Sequence, residues 1–130
     1  MLKDFLKWSE LKQNLDATAN QPPYFNEGEA WWCSVGINIG SEINGKDNLY
    51  IRPVIILKKL SKDSFVGIPM TSKIKAGSWY ISINFSGKIS TANLAQIKTF
   101  NYRRLQDKYG QLDINTYLSL KARLKSLLDL

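Results

Sequence analysis

Two polar positions border strongly apolar segments and carry side chains suited to phosphate chemistry. Arg52 directly precedes a proline and four aliphatic residues. A guanidinium held at the start of a buried strand offers a planar fork of donors with a permanent charge. Thr71 and Ser72 end another apolar segment, where hydroxyl and amide groups can hold a phosphoryl oxygen. Taken alone, each has a structural alternative: a salt bridge from Arg52 to an acid such as Glu42, and turn capping by the hydroxyls.

Other polar residues offer a carboxylate and further donors. Glu42 lies in a glycine-containing loop, where a carboxylate near an arginine could act as a general base, although a solvated loop acid is the alternative. Gln96 and Lys98 alternate with Ile97, which predicts that they share one strand face. From there they would contact bases or phosphates, or merely line the outside of a sheet.

Composition narrows the chemistry further. The chain has 130 residues, enough for one domain with its own core. It has no histidine, which excludes a His-based triad, a His-pair ribonuclease and a typical His/Cys zinc site, so we expect neither a metal nor a cofactor. The single Cys33 fits a reducing compartment. Without a signal core or an apolar run long enough to span a bilayer, we expect a cytoplasmic protein with no membrane partner.

The net charge of +7 is unevenly distributed. Residues 1–60 carry seven positive and seven negative charges, whereas residues 61–130 carry eleven positive and four negative. An excess confined to one half of the chain indicates a polyanionic partner such as nucleic acid. A solubilising basic surface is the alternative.

The first element that these residues predict is an amphipathic helix over residues 3–18. Its apolar residues recur at three- and four-residue spacing: Phe5, Leu6, Trp8, Leu11 and Leu15. Two prolines in residues 19–26 end this helix. We therefore expect residues 1–26 to form a helical appendage with a linker, and residues 27–130 to form the main domain. The face with Trp8 and Leu11 is expected to pack on that domain, with a partner surface as the alternative.

Short β-prone segments with glycine-rich turns follow, and no helix separates consecutive strands. The strands are expected at residues 29–35, 50–58, 64–70, 79–85 and 90–97. This order predicts a mainly β domain, a small antiparallel barrel, with accompanying helices. Two helices are expected to close the chain, a short one over residues 102–108 that ends at Gly110 and a longer one from Asp113 to about Leu128.

In this order, the segments resemble the PemK/MazF type of toxin from bacterial toxin–antitoxin pairs, from about Phe25 to Leu128. The matching segments are Glu27-Gly28-Glu29-Ala30-Trp31-Trp32, Gly40-Ser41-Glu42, Arg52-Pro53-Val54-Ile55-Ile56-Leu57, Pro69-Met70-Thr71-Ser72, Gln96-Ile97-Lys98-Thr99, and Arg104-Leu105 with the closing helix. The Arg-Pro-aliphatic strand and the Pro-x-Thr-Ser turn are the most specific.

The resemblance implies an SH3-like barrel, a symmetric homodimer and metal-independent cleavage of single-stranded RNA to 2′,3′-cyclic phosphate and 5′-hydroxyl ends. It implies Arg52 and Thr71 as the catalytic pair, with Glu42 as the base or as the group that orients Arg52. The residues implied to bind RNA are Ser41, Lys46, Ser72, Lys73, Lys75, Gln96 and Lys98. A cognate antitoxin would occupy the same basic groove, and operator DNA would be bound only by the toxin–antitoxin complex.

Three features depart from the family's pattern. Ala95 stands where the family often has an acid, and Asn93 stands where some members have arginine. The loop from Gly40 to Arg52 is also longer than in compact members. The alternative functions are a non-catalytic RNA- or DNA-binding module of the same fold and a gyrase-type poison, an activity carried by proteins of a similar fold.

Overall fold

A computed structural model describes residues 3–130 as a curled antiparallel sheet of seven strands with a helix at each end. The elements are α1 (Phe5–Asp16), β1 (Glu29–Ser34), β2 (Ile51–Lys59), β3 (Ser64–Thr71), β4 (Tyr80–Phe85), β5 (Lys88–Asn93), β6 (Lys98–Asn101), β7 (Leu105–Gln111) and α2 (Ile114–Leu127). Short 3₁₀ turns at Leu94–Gln96 and Tyr102–Arg104 flank β6. The predicted SH3-like antiparallel barrel with terminal helices is confirmed.

The sheet curls because β3 changes partners along its length. The strands follow the order β4-β5-β3-β2-β1-β7, and β6 pairs with β3 outside this path. Near its beginning, β3 pairs with β6 through Ser64 and Asn101, and at its end it pairs with β5 through Met70 and Ala92. The side of β3 that faces away from β2 is thus divided between two strands, which bend the sheet around the core.

Strand β2 is buried on both faces, which explains its uninterrupted aliphatic sequence. Val54 and Ile56 belong to one core cluster with the aromatic residues of the barrel, and Ile55 belongs to a second cluster beneath α2. All three side chains have zero exposure. The backbone just before this run is therefore anchored firmly at the edge of the core.

The segment after β6 differs from the prediction. Residues 102–108 form one 3₁₀ turn followed by β7, not a helix ending at Gly110. Strand β7 pairs with β1, for example Lys108 with Trp31, and Gly110 lies inside this strand beside the ring of Phe85. Pairing with a distant strand outweighs the local helical preference of this segment.

The expected strand over residues 90–97 is also shorter than predicted. Strand β5 ends at Asn93, whose side chain accepts a hydrogen bond from Ala95 N at 3.1 Å and caps the following 3₁₀ turn. Gln96 lies in this turn and Lys98 begins β6. The prediction that Gln96 and Lys98 share one strand face is therefore wrong.

Helix α1 docks on the barrel through Trp8, the buried residue of the predicted apolar face, whereas Phe5 and Leu6 of that face are exposed. Trp8 is 6% exposed and meets the ring of Tyr50 edge to face, with 5.6 Å between ring centres. Its indole covers Gly36, which has a φ of +85° and no room for a Cβ. Gly36 and Tyr50 are the two ends of the loop of residues 36–50, so each end of this loop contacts α1. The linker that follows α1 is held by Tyr102, whose hydroxyl donates to Asn20 O at 2.7 Å.

Helix α2 begins as predicted, because Asp113 accepts a hydrogen bond from Thr116 N at 2.7 Å. It covers the core with Leu120 and Leu124, while Tyr117 donates its hydroxyl proton to Leu57 O. The apolar side chains of Ile114, Leu118 and Leu128 are exposed instead. Neither described helix combines the length and apolar character needed to cross a bilayer.

Candidate active site

The end of β3 brings Thr71 to the beginning of β2, where Arg52 lies. Arg52 Nη1 donates to Thr71 Oγ1 at 3.3 Å, and Arg52 Nε donates to Asn44 O at 2.6 Å. Two acceptors on different segments therefore fix the plane of the guanidinium. Partial burial lowers the pKa of Arg52 from its ordinary value, because burial disfavours the charged form.

The hydroxyl of Thr71 is arranged as a donor. Thr71 is 7% exposed, and its Oγ1 accepts from Arg52 Nη1 and from Lys73 N, each at 3.3 Å. Since both bonds use the oxygen as an acceptor, the hydroxyl proton remains available for a third group. Ser72 and the Lys73 side chain are exposed immediately beyond it. This end of β3 can therefore present an O–H group and positive charge to a phosphoryl oxygen.

The charge of Arg52 is not neutralised by a carboxylate. Within residues 3–130, the ion pairs are Lys7–Asp4, Lys58–Glu27 and Lys108–Glu29. The salt bridge from Arg52 to Glu42 is not formed. Instead, Glu42 Oε1 accepts from Ile39 N at 2.9 Å within its own loop, and Asn44 O takes the place proposed for Glu42 in orienting Arg52. A half-buried guanidinium with only neutral acceptors has a charge available for an anionic ligand.

The loop that carries Glu42 is ordered by side-chain amides. Asn38 Nδ2 donates to Ile43 O at 2.7 Å, and Asn38 N donates to Asn44 Oδ1 at 2.6 Å. Gln96 holds the same loop through two hydrogen bonds. Its Oε1 accepts from Ile43 N at 2.7 Å, and its Nε2 donates to Ser41 O at 3.1 Å. Gln96 therefore positions the loop. Asn38 and Asn44 were not predicted as site residues, although asparagine in a glycine-containing loop favours such side-chain-to-backbone bonds.

Four of the other predicted residues form a second cluster around a cavity of about 470 Å³. Ser41, Glu42, Gln96 and Lys98 line it together with Phe100. Lys98 Nζ lies 5.0 Å from the centre of the Phe100 ring. Burial, and then repulsion from Arg104 and Lys12, lowers the pKa of Lys98, while Glu42 acts in the opposite direction. The structure thus brings a carboxylate, an amide and an ammonium group to one cavity beside the loop.

Two predicted lysines, Lys46 and Lys75, are exposed in different surroundings. Lys46 is exposed, and its backbone pairs with Ile51 directly before Arg52. Lys75 is exposed beyond β3, with Nζ 5.7 Å from the centre of the Tyr80 ring. Over the described residues, no group of three or more His, Cys, Asp or Glu side chains is arranged to hold a metal ion.

Comparison with known proteins agrees with this architecture. The model of a family described as the PemK-like, MazF-like toxin of type II toxin–antitoxin systems matches residues 26–128. MazF from Deinococcus radiodurans superimposes with a TM-score of 0.67 and 18% identity, over 85% of this chain and 100% of that one. An endoribonuclease in complex with its cognate antitoxin from a mycobacterial species gives 0.64 and 16%, over 82% and 97%.

A third structure, a MazE–MazF assembly from Deinococcus radiodurans, gives a TM-score of 0.62 at 14% identity and covers 84% of this chain and 97% of that one. No curated protein sequence matches the chain. At these identities the structural likeness establishes the fold alone. The match to the family model covers most of the chain, including both strands that carry Arg52 and Thr71.

Proposed function

This chain belongs to the PemK-like, MazF-like toxins of type II toxin–antitoxin systems, and we propose that it is an endoribonuclease that cuts single-stranded RNA. The observation that carries the proposal is the pairing of Arg52 with Thr71. In the described part of the chain this arginine has no carboxylate partner, although it is half-buried. A desolvated cation beside a hydroxyl donor suits a phosphodiester, whose negative charge increases in the transition state.

The reaction is a transesterification within the RNA. The 2′ oxygen bonds to phosphorus and loses its proton, the bond from phosphorus to the 5′ oxygen breaks, and that oxygen takes up a proton. The products carry a 2′,3′-cyclic phosphate and a 5′-hydroxyl. Arg52 binds the non-bridging oxygens, and the Thr71 hydroxyl donates to one of them. Arg52 acts through its charge, because a guanidinium is a very poor base.

Glu42 is our candidate for the base that takes the 2′ proton. It is the carboxylate of the cavity beside the loop, and Lys98 of that cavity supplies a cation for an adjoining phosphate. Gln96 and Ser41 would contact a base there. Ser72 and the lysines Lys46, Lys73 and Lys75 would bind the RNA strand on either side of the cleaved phosphate. Since Arg52 provides positive charge at the phosphorus, this mechanism assigns no step to a metal or a cofactor.

A cognate antitoxin is the second proposed partner. One of the similar structures is described as an endoribonuclease in complex with its cognate antitoxin, and another as MazE–MazF. We propose that an acidic, flexible antitoxin segment competes with RNA for the same cationic surface. The symmetric homodimer, operator DNA binding by the complex and the cytoplasmic location stay predictions.

Cleavage of a long RNA in EDTA tests the proposed function. We expect the wild-type protein to produce cyclic phosphate ends, and Arg52→Ala and Thr71→Ala each to lower the cleavage rate by about 10²- to 10³-fold. Arg123→Ala, at an exposed position on α2, is the matched control and is expected to cut normally. Undiminished cleavage by both site variants would refute the assignment.

The same experiment separates an enzyme from a binding module. Intact RNA with the wild-type protein, together with binding that weakens as salt increases, would identify the non-catalytic module. Growth arrest that depends on Arg52 after expression in bacteria would support the proposed toxin activity in a cell.

A further inference from the structure

A second cationic cleft lies between α1 and the 3₁₀ turn that follows β6. It has a volume of about 430 Å³ and is lined by Lys12 of α1, by Arg103 and Arg104 of the turn, and by Asn101. A volume of this order lies in the range of small-molecule sites. The family match begins at residue 26, so the wall formed by α1 belongs to the part of this chain outside that match.

The arginines of this cleft are fixed in place yet retain free donors. Arg103 Nε donates to Thr18 O at 3.0 Å, and Arg104 Nη1 donates to Ser34 O at 2.9 Å. The Arg104 guanidinium lies over the ring of Trp8, 5.7 Å from its centre. A guanidinium has five N–H groups, so each arginine can also bind an external acceptor. The protein has thus already limited the freedom of both side chains before any ligand binds.

The charge of the cleft is predominantly positive. Its charged lining comprises Lys12, Arg103 and Arg104 against the single acid Asp16. None of the three cations takes part in an ion pair with any residue from 3 to 130. Cations that are gathered without anionic partners repel one another, and an anionic ligand would relieve this repulsion.

The cleft adjoins the cavity beside Glu42 along β6, because Lys98 at the beginning of that strand lines the cavity and Asn101 at its end lines the cleft. Lys98 lines that cavity, and the charges of both Arg104 and Lys12 lower the pKa of Lys98 after the larger effect of burial. One extended anion, such as a polynucleotide backbone, could therefore run from the first cavity into the cleft.

We propose that this cleft binds a backbone phosphate of single-stranded RNA at a distance from the cut, so that α1 extends the substrate path. RNA as the ligand rests on the proposed function. Guanidinium forks match the paired oxygens of a phosphate. Trp8 and Ser34 act here as positioning residues, because they hold Arg104, whereas Lys12 and the arginines contact the phosphate.

Binding of a 2′-O-methyl RNA tests this cleft independently of cleavage, because the RNA lacks the attacking hydroxyl. The full chain and Lys12→Ala are compared with Lys7→Ala, a lysine on the same helix that lies beside Asp4. For an RNA of about 12 nucleotides, we expect Lys12→Ala to bind about 3-fold more weakly and to reduce the slope of log K against log salt by about 0.7. Lys7→Ala should match the wild type.

An RNA of about 4 nucleotides, held by the first cavity, should not distinguish the two variants. Equal effects of both substitutions on the long RNA, or no effect of either, would overturn the proposed phosphate site. So would weaker binding of poly-glutamate by Lys12→Ala with unchanged RNA binding, because the cleft would then hold an acidic protein segment. A protein that binds the 2′-O-methyl RNA in this way but cuts no unmodified RNA would refute the proposed enzyme and retain the cleft.

Discussion

The two halves of the candidate site are built by different means. The strand half, Arg52 and Thr71, lies on paired strands whose neighbours Val54 and Met70 have zero exposure. The loop half, residues 36–50 with Glu42, is held by backbone hydrogen bonds such as Gly45 N to Gly36 O, by side-chain amides and by contacts with α1. Core packing fixes the position of the Arg52 guanidinium, which is to bind the phosphate. The position of Glu42, the candidate base, depends instead on the hydrogen bonds and contacts of the loop.

Removal of Trp8 should weaken the loop half much more than the strand half. The indole packs against Gly36, Tyr50 and Arg104, so Trp8→Ala should lower the free energy of unfolding by about 3 kcal/mol. Hydrogen exchange of the backbone amides shows which segments lose stability. We expect faster exchange in residues 36–50 and little change in β2 and β3.

Leu6→Ala is the control for this substitution, because Leu6 lies on the same helix and is 82% exposed. It should change the free energy of unfolding by less than about 0.5 kcal/mol. Equal loss of protection in β2 and in the loop after Trp8→Ala would contradict the division into two halves.

Arg52→Lys tests whether the strand half depends on geometry or on charge alone. Lysine retains the charge but lacks the planar fork that reaches Asn44 O and Thr71 Oγ1 together. We expect kcat for RNA cleavage to fall about 10²-fold, with a nearly unchanged unfolding midpoint. Arg123→Lys on α2 is the control. Cleavage at the wild-type rate would show that a positive charge at this position is sufficient.

A pair of substitutions at Glu42 separates a chemical role from a structural one. Glutamine can still accept the hydrogen bond from Ile39 N, whereas alanine cannot. If Glu42 takes the 2′ proton, both variants should lose activity, by about 10²-fold for Glu42→Gln in single-turnover cleavage. Activity that survives in Glu42→Gln and is lost in Glu42→Ala would reduce Glu42 to a loop cap.

Glu29 on β1, the strand that pairs with β2, makes a stabilising contact that is sensitive to acid. Burial opposes its ionisation, but hydrogen bonds from Trp31 Nε1 and Asn26 N and the contact with Lys108 outweigh burial, so the pKa of Glu29 lies below its ordinary value of 4.5. A carboxyl whose pKa falls on folding stabilises the protein above its unfolded pKa. This contribution is lost as the pH falls through the folded pKa.

Glu29→Gln should therefore lower the free energy of unfolding by about 1 kcal/mol at neutral pH, and the difference from wild type should shrink below the ordinary pKa of 4.5. Urea unfolding at neutral and acidic pH measures both values. Glu10→Gln, at an exposed position on α1, serves as the control. A difference that is the same at both pH values would assign the effect to packing alone.

Sequence patterns predicted the strands and helices correctly where the local preference of a segment agrees with its burial in the fold. The aliphatic run after Arg52 is buried on both faces, and the beginning of α2 follows a capping aspartate. The patterns failed over residues 102–108, since pairing with β1 decides the structure of that segment. They also failed for Gln96, because a local cap at Asn93 ends the strand before it.

The sequence by itself determined the chemical groups of this protein: a permanent cation before a buried strand, a hydroxyl at the end of the next strand, and no histidine. Only the tertiary structure decided which groups meet. Arg52 takes Asn44 O rather than Glu42 as its partner, and Gln96 closes the loop across 53 residues to Ile43. Such contacts depend on how the sheet curls and how α1 docks, and no local pattern specifies the meeting of segments so far apart in the chain.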